Sequence, residues 1–107
     1  MKWTRGDVAL RYLDGSTPRV SAWVAGPFAV HRDRFSPRFW KLTHPPSGYF
    51  IVKHLPRLTD GQRLAERLNR LKGLDWSFTA PSGSKWLKVK RKVGPIVMRM
   101  RRRHHDD

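Results

Sequence analysis

The chain has 107 residues, 38% of them hydrophobic, and its 23 Lys or Arg residues against 8 Asp or Glu give a formal net charge of +15. This length fits one domain, and five Trp and five Phe supply the large side chains that a small core needs. The excess of positive charge favours polyanionic partners: DNA, RNA, anionic lipid or an acidic protein surface. The chain has no Cys, which excludes disulfides, Cys-based zinc sites and thiol catalysis.

No segment predicts secretion or membrane insertion. The N-terminal residues MKWTRGDVALRY contain no apolar core of the signal-peptide type. The longest uncharged run, Val20–His31, is interrupted by Gly26-Pro27 and is too short to cross a bilayer. Binding to a membrane surface is left open by the charge, but no basic amphipathic helix is predicted that would favour it. We expect a cytoplasmic protein that binds no membrane.

Five short runs rich in Val, Trp, Phe or Tyr predict β-strands, because these side chains favour extended backbone. Turn sequences separate them: DGSTP follows the first run, Gly26-Pro27 follows the second and PPSG precedes the last. The predicted strands cover residues 7–13, 19–25, 28–32, 39–44 and 49–55. Short consecutive strands joined by turns indicate a small antiparallel sheet, mostly a meander.

The PPSG loop predicts a hairpin in which His44 faces Tyr49, so that the two strands present alternating faces. The predicted core face holds Trp40, Leu42, His44, Tyr49, Ile51 and Lys53. The other face holds Phe39, Lys41, Thr43, Phe50, Val52 and His54. Its mixture of aromatic rings and cations is typical of surfaces that stack bases or contact phosphates. An equally open interpretation places Phe39 and Phe50 in a second layer of core.

One amphipathic helix is predicted within TDGQRLAERLNRLKG, residues 59–73. Thr59 and Gln62 fit a capping box, and Gly73 is a suitable C-terminal stop. Leucines at i, i+4 and i+7 form its apolar stripe; these are Leu64, Leu68 and Leu71. With the strands, the helix predicts an α+β domain over residues 1–78, followed by a Pro-, Gly- and Ser-rich connector over residues 79–84.

The segment Lys85–Arg103 is the most basic part of the chain, with nine Lys or Arg residues and no acid. With a turn at Gly94-Pro95, two strands of this segment separate charged from apolar side chains with a period of two. The charged face then holds Lys88, Lys90, Arg99 and Arg101, and the apolar face holds Val89, Met98 and Met100, with Arg91 as its one charged residue. We therefore predict a cationic β-ribbon over residues 85–103, packed on the same core, and a mobile tail over residues 104–107. A segment that becomes ordered only on binding is the other interpretation.

Like charges that face each other across a ribbon are destabilising, and a bound polyanion reverses that effect. The segment is thus interpreted as a surface shaped for phosphates. The candidate nucleic-acid-binding residues are Lys41, Lys53, Lys85, Trp86, Lys88, Lys90, Lys92, Arg99, Arg101 and Arg103.

Neither a metal site nor a catalytic site is predicted. The residues His31, His44 and His54 have no metal-binding spacing, and the hairpin register puts the last two on opposite faces. The Asp residues are scattered at turns and element ends, and no phosphate loop or dinucleotide fingerprint is present. We expect a protein that is not an enzyme and binds no cofactor.

Residues 28–71 combine a strand, the PPSG hairpin, the strand YFIVKHL and a helix opened by TDGQ. This layout resembles the three-strand-plus-helix DNA-binding domains of the AP2 and integrase arm-binding type. The chain also has the look of a small phage-encoded accessory protein. The resemblance implies a sheet whose open face enters the major groove, although the Gly- and Trp-rich strand pattern of AP2 is not reproduced.

These features together predict a non-enzymatic nucleic-acid-binding protein, with double-stranded DNA ahead of RNA, whose Lys and Arg side chains replace counterions on phosphates. The alternatives are an RNA-binding protein, or a small basic regulator that docks on an acidic surface of a partner protein.

Overall fold

The computed structural model describes residues 1–106, with side chains as far as Arg102. The elements are β1 (Thr4–Ala9), β2 (Arg19–Ala25), β3 (Phe28–Arg32), β4 (Trp40–His44), β5 (Tyr49–Leu55), α1 (Leu58–Asn69) and α2 (Gly83–Asp106). The strands form one antiparallel sheet in the order β1-β2-β3-β4-β5. The predicted α+β class and the meander are therefore confirmed, but residues 1–106 contain two helices where the sequence predicts one.

The sheet is strongly curled. Its two edges are β1 and β5, which four strand spacings would separate by roughly 19 Å in a flat sheet. The Arg11 N–H, just after β1, nevertheless donates a hydrogen bond to the Gly48 carbonyl, just before β5, at 2.9 Å. The helices cover the convex face, whereas the curl itself encloses a small apolar cluster on the concave face. That cluster consists of Val8, Leu10, Ala22 and Ala29.

Two one-residue shifts in the β4–β5 register change which side chains face the core. The predicted pair His44–Tyr49 is present, but Leu42 then faces Val52, and Trp40 faces Leu55. Each shift adds a residue to β5, as a β-bulge does. The prediction that placed Val52 on the face opposite Leu42 is wrong, since both are buried in the main core.

The main core lies between the convex face and the two helices, and α1 contributes two of the three leucines of the predicted stripe. Leu64 and Leu68 are buried there. The helix ends at Asn69, so Leu71 and the predicted stop at Gly73 lie beyond it. The helix begins earlier than predicted, because the Asp60 carboxylate accepts a hydrogen bond from the Arg57 N–H at 3.1 Å. Thr59 therefore lies in the first turn and does not cap the helix.

The predicted β-ribbon over residues 85–103 is not confirmed, because α2 occupies the whole segment. The expectation that the chain has no basic amphipathic helix is corrected by the same element, which has one apolar side and many exposed cations. Apolar residues recur there at intervals of three and four, which is the helical period. They are Trp86, Val89, Val93, Ile96 and Met100, and all of them pack on the main core. Pro95 lies inside this helix and is exposed. Because Pro has no N–H, the carbonyl of Arg91, four residues earlier, has no hydrogen-bond partner within the helix. That carbonyl lies on the same solvent side as Pro95. Met98 is 60% exposed and does not point to the core.

Residues between the two helices carry aromatic rings onto the core. The Trp76 ring packs edge-on against Phe28, with 4.8 Å between centroids, and Phe78 stacks on His44 at 4.1 Å. The predicted connector over residues 79–84 leads directly into α2, which begins at Gly83. The structure describes no side chain in residues 104–107, and residue 107 lies outside the described residues altogether. The predicted mobile tail over residues 104–107 therefore stays a prediction.

Candidate nucleic-acid interface

The solvent side of α2 carries many cations, with the exposed side chains of Leu87, Pro95 and Met98 between them. Burial of Val89, Val93 and Ile96 fixes which side of the helix faces the core. Every Lys or Arg of α2 with a described side chain is exposed: Lys85, Lys88, Lys90, Arg91, Lys92, Arg99, Arg101 and Arg102. No acidic residue lies between Gly83 and Arg102. A helix of this length extends for about 36 Å, so the positive charge forms a long strip.

The cations of α2 lie on two flanks of the helix and not on one common face. Lys90 and Arg101 are eleven residues apart, or about three helical turns, and both lie on the flank next to β5. Lys88 and Arg99 have the same spacing but lie on the other flank. The ribbon prediction placed these four residues on one face. That prediction is wrong, because the helix divides them between its two flanks.

A groove of about 550 Å³ separates the first flank from β5. Phe50 and Lys53 border it on the sheet side, and Lys90, Met98 and Arg101 border it on the helix side. The Arg101 guanidinium lies 3.5 Å from the Lys53 carbonyl oxygen. The groove therefore combines exposed apolar surface with three cations, the two features that a nucleic-acid strand contacts through its bases and its phosphates.

Phe50 is the aromatic ring best placed for stacking beside this groove. It is 43% exposed, and the ammonium groups of Lys41 and Lys53 lie 5.1 Å and 5.8 Å from its ring centroid. Lys41 is mostly buried and pairs with Asp33 at 3.9 Å. The structure thus brings together four predicted site residues around or near one ring: Lys41, Lys53, Lys90 and Arg101.

A second basic site lies on the other flank of α2. Lys88, Arg91 and Lys92 border a depression of about 340 Å³ together with Lys72, from the turn that follows α1. No acidic side chain lines it. The sequence prediction missed Lys72 and Arg91. The ribbon register placed Arg91 on the apolar face, and no local pattern connects Lys72 with a helix that begins eleven residues later.

Three predicted site residues have different surroundings. Lys85 pairs with Asp75 at 3.0 Å and donates to the Ser77 hydroxyl, so its charge is partly neutralised. Trp86 is half-buried and packs edge-on against Phe78 at 5.6 Å, which leaves it unsuited to base stacking. The side chain of Arg103 lies beyond those that the structure describes.

The concave face of the sheet holds a polar network with a neutral histidine. His31 Nδ1 lies 2.9 Å from the Arg32 carbonyl and so carries the proton, while Nε2 accepts from the Thr43 hydroxyl at 2.7 Å. Burial lowers the pKa of His31. Burial alone would raise the pKa of Asp33, but hydrogen bonds from the loop that follows it and the charge of Lys41 outweigh that effect and lower it.

Among the side chains that the structure describes, those of residues 1–102, no group of three or more His, Asp or Glu could hold a metal ion. Within residues 1–106, neither helix has the length and apolar character needed to cross a membrane. Comparison with family models, with curated proteins and with solved structures finds no match to this chain.

Proposed function

We propose that this small α+β protein binds nucleic acid without catalysing a reaction, and that α2 is its main binding element. The observation that carries the proposal is the strip of eight exposed Lys and Arg side chains on α2, with no acidic residue among them. Cations on such a strip displace condensed counterions from phosphates, and this release supplies most of the free energy of non-specific binding.

The energetics of α2 favour a polyanionic partner. Lys88 and Lys92 are separated by four residues and Lys88 and Arg91 by three, so like charges are neighbours on the helix surface. Each such pair destabilises a helix by about 0.2–0.5 kcal/mol, by analogy with the favourable pairs. Phosphates beside these side chains convert a repulsive cluster into an attractive one.

Double-stranded DNA fits the dimensions of α2. A helix with side chains is about 10–12 Å across, and the major groove of B-DNA is about 12 Å wide. The length of α2, about 36 Å, spans roughly one turn of duplex. The resemblance to AP2-type domains would put the sheet in the groove instead. The concentration of cations on α2 favours the helix as the element that contacts DNA.

A basic regulator that docks on an acidic protein surface is the second candidate. Leu87 and Met98 are 52% and 60% exposed and lie three helical turns apart beside the cations, an arrangement that protein interfaces share. Competition separates the two candidates, because random DNA displaces a nucleic-acid ligand and leaves a protein partner bound.

A matched pair of variants tests the proposal. Lys88→Gln/Lys92→Gln removes two cations four residues apart on α2, and Arg63→Gln/Arg67→Gln removes two exposed cations with the same spacing on α1. Fluorescence anisotropy with a 20-base-pair duplex, over a range of salt concentrations, gives the slope of log K against log salt. Six phosphate contacts predict a slope near −5.

The α2 variant should reduce this slope to about −3.5, and the α1 variant should leave it near −5. Equal effects of the two variants would show that total charge governs binding and not α2. A slope near zero for DNA and RNA alike, in the unmodified protein, would overturn nucleic-acid binding altogether.

A further inference from the structure

The curled sheet contains an aromatic pocket of about 360 Å³ at the open end of its concave face. Its walls include four aromatic rings: Tyr12, Phe35, Tyr49 and Phe50. The Tyr12 and Phe35 rings lie 6.0 Å apart and are tilted by 47°. The volume is within the range of pockets that bind small ligands, and the aromatic walls are typical of sites for planar molecules.

Polar groups at the base of the aromatic pocket restrict what it can bind. The Lys41 ammonium lies 5.9 Å from the Tyr12 ring and 5.1 Å from the Phe50 ring. Thr43 also lines the pocket, and its hydroxyl donates a hydrogen bond to His31 Nε2 at 2.7 Å. Tyr12 lines the pocket, and its hydroxyl is buried with no hydrogen-bond partner among the described residues.

These groups disfavour a cationic ligand, although clusters of aromatic rings often bind one. The Lys41 ammonium already occupies the position against two of the rings, and the chain carries a net charge of +15. A suitable ligand is a planar ring that stacks on Phe50 and accepts a hydrogen bond from Lys41. A nucleobase with a carbonyl oxygen has this chemistry.

Phe50 lines both the aromatic pocket and the groove between β5 and α2. A strand whose phosphates contact Lys53, Lys90 and Arg101 in the groove therefore passes the entrance of the pocket. We propose that the aromatic pocket takes one unpaired nucleobase of that strand. This inference rests on the proposed function, and it makes the preferred ligand a duplex with an extrahelical base, or a single strand. A fully paired duplex must first lose the stacking of that base, at a cost of a few kcal/mol.

Three otherwise identical duplexes test the pocket by fluorescence anisotropy: one fully paired, one with a single bulged thymidine and one with an abasic residue at the bulge. The abasic duplex bends and exposes phosphates in the same way but offers no base. Stacking of one base is worth about 1–3 kcal/mol, so the thymidine bulge should bind roughly 5- to 150-fold more tightly than the abasic bulge.

Phe50→Ala should bring this ratio close to one, whereas Lys88→Gln/Lys92→Gln should weaken binding to both bulges and leave the ratio unchanged. If Phe50→Ala lowers the melting temperature, Phe35→Ala provides the same test, since Phe35 is 77% exposed. Equal affinity for the thymidine and abasic bulges would overturn the pocket while leaving nucleic-acid binding intact. Failure to bind any of the three duplexes would overturn both proposals.

Discussion

Gly61 of α1 lies so close to Val30 of β3 that a Cβ atom on Gly61 would stand 2.7 Å from Val30 Cγ1 and 3.4 Å from Leu55 Cδ1. Real Cβ atoms essentially never approach a neighbour at the first of these distances. Glycine therefore sets how closely α1 packs on the sheet, and a larger residue would push the helix away from the core.

We predict that Gly61→Ala destabilises the protein by about 1–2 kcal/mol. Overpacking costs about 1–3 kcal/mol, and the higher helix propensity of Ala returns up to about 1 kcal/mol. Urea unfolding monitored by Trp fluorescence measures the change. Unaltered stability would mean that α1 does not approach the sheet as closely as described.

Pro95→Ala should have the opposite effect and raise the free energy of unfolding by about 1–3 kcal/mol. Pro95 lies inside α2 and is exposed, and a Pro in a helix interior is about 3 kcal/mol less favourable than Ala. Alanine supplies the N–H that the Arg91 carbonyl lacks and removes the restriction that Pro places on the backbone of Gly94. If residues 94 and 95 formed the turn of a ribbon, the same substitution would give up the fixed φ of Pro and be slightly destabilising, so thermal unfolding of this variant distinguishes the helix from the ribbon.

The comparison of Gly94 and Arg91 shows why the sequence predicted the wrong element here. The pair Gly94-Pro95 is typical of a turn. Pro95 is nevertheless tolerated in this helix, because the Arg91 carbonyl, which has no N–H partner there, faces water. Valines at 89 and 93 fit a period of two as well as a helical period. The charge of Arg91 is what separates the two periods, because it falls on the apolar face of the ribbon and on the solvent face of the helix.

The strands were predictable because each one is short, rich in β-branched or aromatic residues and bounded by turn residues. Three of the five, β2, β3 and β5, have the predicted bounds. The curl was not predictable, since it brings together Arg11 and Gly48, which lie far apart in the sequence and at opposite edges of the sheet. The aromatic pocket is formed by that curl, so it could not be predicted from the sequence either. Two of its residues, Phe50 and Lys41, were nevertheless predicted to share the aromatic and cationic face of the hairpin.

The stability of the protein should decrease as the pH falls below 6.5. His31 and His44 are both buried, and burial lowers the pKa of each below the usual 6.5. The unfolded chain therefore binds these protons at a higher pH than the folded chain does. Their contribution is fully present above pH 6.5 and is lost as the pH falls toward the lowered pKa values.

Urea unfolding at pH 7.5, 6.5 and 5.5 measures this loss in a window above the titration of carboxylates, near pH 4. His31→Gln and His44→Gln should each reduce the pH dependence. His54→Gln is the control, because His54 is exposed and the variant keeps both buried histidines, so the loss of stability between pH 7.5 and 5.5 should persist. A wild-type protein equally stable at all three pH values would contradict this prediction.

Lys88→Glu should stabilise the free protein and weaken its binding to DNA. The substitution replaces the repulsive pair Lys88–Lys92 with an attractive Glu–Lys pair in its favourable orientation, worth about 0.4–1 kcal/mol in total. On α1, Arg63→Glu creates the same kind of pair with Arg67 and should give a similar gain in stability. Thermal unfolding measures the gain, and anisotropy with duplex DNA should show a loss of affinity for Lys88→Glu that exceeds the loss for Arg63→Glu. A Lys88→Glu variant that is both less stable and unchanged in DNA binding would show that Lys88 supports the fold and not the interface.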